Sequence, residues 1–189
     1  LNLLIMTIVH IKILFNTGSY NDCLDIGYNV LNVLDSSKIK KFNSDIVSNE
    51  EFKFMITECI GYMAMSVIFT FREYVGEFLD SVGKLFDFIP SEYSIFVQLQ
   101  KLFRGDAVAM SEVVKGENLF SNLLYYVINA FTQYKGNPDA FAKEIYKTKI
   151  TARDTYMYNF EFFADLLIGY SYGLKNSFVK AFAIVNQVI

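Results

Sequence analysis

Tryptophan is absent from this chain, and 189 residues hold only 2 prolines, 1 histidine and 2 cysteines. Each scarcity excludes something. Two cysteines cannot staple a small disulfide-rich domain, so an apolar core must hold the fold. Cys23 and Cys59 each lie inside an apolar helical pattern and read as reduced, buried thiols, which points to a cytoplasmic or otherwise intracellular chain. The single histidine, His10, is the only candidate for the commonest general base. It sits in an apolar opening helix and reads as a satisfied histidine between helices. No Cys or His cluster has metal-ligand spacing. Gly105-Asp106 and Gly136-Asn137 are isolated turns, not a phosphate-cradling loop. The carboxylate pairs Glu73/Glu77 and Asp22/Asp25 stand at helix spacing and read as solvated faces. The expectation is a chain that is not an enzyme, with no catalytic residue, cofactor or metal.

What is present is apolar: 53% hydrophobic residues against 20% charged ones, with 19 Phe and 13 Tyr. That composition excludes disorder. A net charge of -3 gives no overall bias toward nucleic acid. A signal-peptide reading needs a basic n-region and a small-residue cleavage site; here His10 and Lys12 break the opening apolar run and no such site follows it. The uncharged runs 59–71 and 118–134 are 13 and 17 residues long, and the second carries six polar side chains. Neither predicts a membrane span. The apolar opening and the apolar close at VNQVI read as the ends of a piece cut from a longer protein.

Apolar residues recur at three-and-four spacing, as at Tyr20, Cys23, Leu24, Tyr28, Leu31 and Leu34, and no sustained period-two run appears. The pattern predicts an all-α fold with helices over 1–16, 20–34, 50–71, 73–88, 91–103, 107–114, 117–134, 140–148, 151–172 and 178–189. Ser48 followed by Glu50 and Glu51 is a start signal, and Asp106 is a candidate N-cap. Asn137-Pro138 marks the sharpest turn-to-helix step, because proline presets the first helical φ. Segment 35–49 reads as a polar connector with a small basic knot at Lys38, Lys40 and Lys41, a solvated loop.

The helices pair, and the turn with its second arm recurs as GSYNDCL, FREYVGEFL, GNPDAFA and KNSFVKAFA. An aromatic residue or proline begins each second arm, and a small residue three positions on (Cys23, Ala181) lets two helices approach closely. Gly18, Tyr20, Cys23 and Leu24 resemble the turn and second helix of a tetratricopeptide repeat. Gly169, Tyr172, Phe178 and Ala181 resemble that family's small, aromatic, aromatic and small positions. Ile11 and Glu77 depart from it, standing where the family has small residues. The intervals from Cys23 to Glu77 and from Glu77 to Ala181, 54 and 104 residues, exclude a regular 34-residue array. The resemblance implies one TPR-like α-solenoid domain over 1–189, a right-handed superhelix of antiparallel hairpins. It implies a scaffold, adaptor or regulatory module that holds a protein or peptide partner in a groove. The alternative reading is a helical regulatory domain with a small apolar ligand in an aromatic cavity.

Two surfaces are candidates for partner binding. Asn122, Tyr126, Asn129 and Gln133 fall at i, i+4, i+7 and i+11, one stripe of a helix whose other side carries Leu123, Leu124, Val127, Ile128 and Phe131. Amide side chains can pair with an extended peptide backbone. Lys143, Lys147 and Arg153, with Lys149, form a basic cluster fit for an acidic segment or phosphate, or else a solvated face laced by Glu144 and Asp154. Nucleic acid is not an expected partner, and exposed terminal helices are expected to allow self-association.

Overall fold

The structure is a computed structural model that describes residues 2–34, 49–86, 90–115, 119–133 and 137–188. Among the described residues every regular element is helical, with nine α-helices and one short 3-10 turn. In chain order they are α1 (Asn2–Asn16), α2 (Tyr20–Leu34), α3 (Asn49–Thr70), α4 (Val75–Phe86), α5 (Tyr93–Arg104), the 3-10 turn (Met110–Glu112), α6 (Leu119–Gln133), α7 (Pro138–Asp154), α8 (Tyr158–Leu174) and α9 (Phe178–Val188). The chain divides into two compact units, Leu1–Phe96 and Val97–Ile189, with the boundary inside α5.

In the first unit α1, α2 and α3 pack on one another and α4 packs on α3. The α1–α2 turn closes as Gly18 takes φ +78°, a left-handed conformation that costs a residue with a Cβ far more than glycine. Its amide donates to the Phe15 carbonyl, and the Ser19 amide donates to that of Leu14. Just after the turn Tyr20 meets Phe15 and Phe69 at ring-centroid distances of 5.5 and 5.1 Å, and Phe15 also meets Tyr62 at 5.5 Å. Cys23 and Leu24 are fully buried beneath it. Gly27 lets α2 approach α3 closely: a Cβ there would stand 2.4 Å from the Met63 Sδ.

Helix α3 is longer than the uncharged run 59–71 that the sequence shows. Phe52–Thr70, 19 residues, is long and apolar enough by length and composition to cross a bilayer, because the stretch tolerates Lys53 and Glu58 at its start. In this structure 67% of that stretch is buried, and it forms the centre of the first unit against α1 and α2. The helix ends where Phe71 takes φ 51°. Below that turn the Tyr28 hydroxyl donates to Glu73 Oε1 at 2.7 Å, tying α2 to the α3–α4 link.

In the second unit α6, α7, α8 and α9 pack consecutively, each on the next. Ala130, Phe141, Ile145, Ala164 and Ile168 form its core. Stacked Phe131 and Phe163 close one side of it. Asn137 caps α7, its Oδ1 accepting from the Ala140 amide at 3.0 Å, with Pro138 at the first helical position. At Gly169 α9 comes near enough that a Cβ would stand 3.0 Å from Val185 and 3.4 Å from the Ala181 carbonyl. The close approach expected at the small positions Gly169 and Ala181 is therefore present.

Three expectations fail. The helix over 107–114 is only the 3-10 turn Met110–Glu112, and Asp106 caps no α-helix. The Gln98 side chain accepts from the Ala109 amide and donates to Glu112, so side-chain bonds hold a loop conformation where an α-helix was expected. The link expected near 149–150 lies instead at 155–157, since Thr148 bonds the Glu144 carbonyl and stays helical while Tyr156 takes φ 57°. No Gly or Pro announces that turn. His10 is exposed on α1 and not buried between helices among the described residues. The knot at Lys38, Lys40 and Lys41, the cap at Ser48 and the stop at Gly136 lie outside the described residues.

Candidate functional site

Helix α6 buries Leu123, Leu124, Val127 and Ile128 completely, which fixes its rotation. The stripe Asn122, Tyr126, Asn129 and Gln133 is thereby left half-buried at the surface. Gln133 Nε2 donates to Asn129 Oδ1 at 3.0 Å, so these two amides spend part of their capacity on each other. Asn122 Oδ1 is buried and has no hydrogen-bond partner, an unmet acceptor one turn from Tyr126.

Two ammonium groups lie at the Tyr126 ring. Lys147 Nζ stands 5.3 Å from the ring centroid and Lys115 Nζ 5.2 Å, both within cation–π range. Lys147 also bonds Glu144 at 2.6 Å, and that bond raises the pKa of its ammonium. Lys143, exposed, lies one turn earlier on α7. The two surfaces that the sequence shows separately thus meet at Tyr126 and Lys147. Lys115 is the residue that sequence reasoning misses, since it precedes α6 and is carried by no helical period.

The rest of the basic cluster goes elsewhere. Arg153 donates through Nε and Nη2 to Glu161 Oε1 at 3.0 and 2.7 Å, and Lys149 pairs with Asp165 at 2.5 Å. These are ties from α7 to α8. The predicted lacing acids were Glu144 and Asp154; Glu144 serves and is buried, while Glu161 and Asp165 fill the other role.

A cleft of about 370 Å3 opens where α7, α8 and α9 meet. Tyr146 and Lys149 come from α7, Phe162, Asp165 and Ile168 from α8, and Ile184 and Gln187 from α9. Burial and a hydrogen bond with Tyr172 raise the Tyr146 phenol. Beside the cleft, Tyr158, Phe162, Leu166 and Tyr170 form an exposed apolar line at i+4 spacing, 41–55% accessible.

Among the described residues no group of three or more His, Cys, Asp or Glu side chains is arranged to hold a metal ion. Cys23 and Cys59 are free and fully buried. Burial, then the neighbouring Cys23 and Glu58, pushes the Cys59 thiol up to about 12, so it is no nucleophile near neutrality. Comparison with family models, with curated proteins and with solved structures finds no match.

Proposed function

We propose that this chain is a non-enzymatic binding module, an intracellular scaffold or adaptor built of TPR-like helical hairpins in a superhelix. It holds an acidic protein segment against α6 and α7. One observation carries the reading: Tyr126 is held with Lys115 and Lys147 at its ring and the unmet acceptor Asn122 Oδ1 one turn away. A partner carboxylate pairs with the two lysines, and a small rotation of the Asn122 side chain turns its buried, unmet Oδ1 toward a partner backbone amide. Asn129, Gln133 and Lys143 extend the contact along the two helices. Arg153 contributes to the fold, since Glu161 engages two of its nitrogens, whereas the Lys147 ammonium keeps donors beyond its single bond to Glu144. The two buried thiols agree with a reducing compartment.

The test is affinity capture with the wild-type chain and with Tyr126→Ala/Lys147→Glu, helicity being checked by circular dichroism. A partner held by wild type and lost by the folded double variant supports the reading. Equal capture by both, or capture by neither, counts against it.

A further inference from the structure

The cleft between α7, α8 and α9 combines three chemistries at short range. Lys149 and Asp165 supply one charge of each sign, paired at 2.5 Å with side chains 26% and 20% exposed. Phe162 and Ile184 supply an apolar wall, with the edge of the buried Ile168 at its base, and Gln187 an amide. We propose that this cleft binds a small zwitterion with an apolar side chain, the chemistry of a free aliphatic or aromatic α-amino acid.

Charge accounting selects the zwitterion. A simple carboxylic acid taking Lys149 would strand Asp165 half-buried without its cation, and a simple amine taking Asp165 would strand Lys149. Leaving one partner of such a pair alone is costly. A ligand bearing both groups exchanges one internal ion pair for two, carboxylate on Lys149 and ammonium on Asp165, with no charge left over. Its side chain then lies on Phe162, Ile168 and Ile184. The volume also selects. About 370 Å3 is at the small end of ligand sites, which run from about 300 to 1,000 Å3, and excludes a large cofactor. The inference does not rest on the partner-binding reading, because it uses Tyr146 and Lys149 of α7 and not Lys143 or Lys147.

The experiment uses five probes on the full chain: L-leucine, L-phenylalanine, glycine, N-acetyl-L-leucine and L-leucinamide. Binding is read by calorimetric titration and by the shift in melting temperature. The expected result is binding of leucine or phenylalanine. The glycine, acetylated and amidated probes, lacking the side chain, the ammonium and the carboxylate, should bind at least about tenfold more weakly. Asp165→Asn and Lys149→Met should abolish the ligand-induced shift. If the pair were only a helix tie, these variants would lower the melting temperature of the free chain and leave the shift intact. No response to leucine or phenylalanine overturns the proposal, as does an equal response to all five probes. The probe series on wild type decides the matter even where a variant does not fold.

Discussion

Replacing Gly27 with alanine tests how closely α2 is pressed on α3. The new Cβ would stand 2.4 Å from Met63 Sδ, 2.6 Å from its Cγ and 3.0 Å from its Cε. Comfortable carbon contacts lie at about 3.5–4.0 Å, so the thioether must retreat by about an ångström. It has little room: Met63 is wholly buried, and its sulfur lies 4.0 Å from the Cys59 thiol. Overpacking of this kind costs about 1–3 kcal/mol. Alanine's better helix propensity returns about 0.5–1 kcal/mol. Gly173→Ala isolates the two terms, since a Cβ there meets nothing within 4 Å and gains propensity alone. Gly27→Ala should therefore fall below Gly173→Ala by about 1–3 kcal/mol in urea melts. The chain has no tryptophan, so circular dichroism is the probe. In a double-mutant cycle Met63→Ala should cost less in the Gly27→Ala background than in the wild-type chain, because it removes the clash. Equal stabilisation by the two glycine replacements would refute the packing argument.

Asn137→Ala removes the acceptor for the Ala140 amide and should cost about 1 kcal/mol. That is about 2–4 °C in a thermal melt of a chain this size, with Asn137→Asp near wild type; an unchanged midpoint would deny the cap. Alkaline stability should fall from pH 9.0 upward. Burial holds Cys59 up to about 12 and Cys23 above 9.0, so the unfolded chain sheds thiol protons first and the folded state loses ground toward pH 12. Below pH 9.0 this contribution is whole. Urea midpoints measured across that window should show the slope, and Cys23→Ala/Cys59→Ala should flatten it; equal slopes would sink the assignment. The exposed Phe178, Val179 and Phe182 on α9 and Leu3, Met6 and Val9 on α1 should drive self-association. Sedimentation at rising concentration should reveal it, and Phe178→Ser/Phe182→Ser should weaken it; a monomer at every concentration would count against it.

The all-helical class was legible because the three-and-four spacing is long and strong in 20–34 and 119–133. Breaks were legible only where chemistry announces them. Gly18 and Asn137-Pro138 do so, and each falls where the sequence put it. The turn at Tyr156 does not, because a tyrosine holds the left-handed position that glycine usually takes. There the Tyr156 amide bonds the Arg153 carbonyl and that of Met157 bonds Ala152, so backbone bonds set the turn without a signalling residue. The short segment after Gly105 failed for the opposite reason. Its local pattern suggests a helix, and Gln98, eleven residues from Ala109, captures it.

The candidate site shows the same divide between local and distant information. Asn122, Tyr126, Asn129 and Gln133 could be aligned from spacing alone, since one helix sets their relation. Lys115 and Glu161 could not, because each lies off the helix that carries its partner and only the course of the chain through the intervening turn brings it to Tyr126 or Arg153. Charge follows this rule as well. The chain's net -3 hides two unlike parts, for the first unit has seven basic against twelve acidic residues and the second ten against eight. An acidic partner of the kind proposed would be repelled by the surplus on the first unit and drawn to the second, where Lys115, Lys143 and Lys147 stand. The overall charge argued against a polyanion, yet the unit that carries Tyr126 has the opposite sign. That sign enters the argument only once the boundary inside α5 is known.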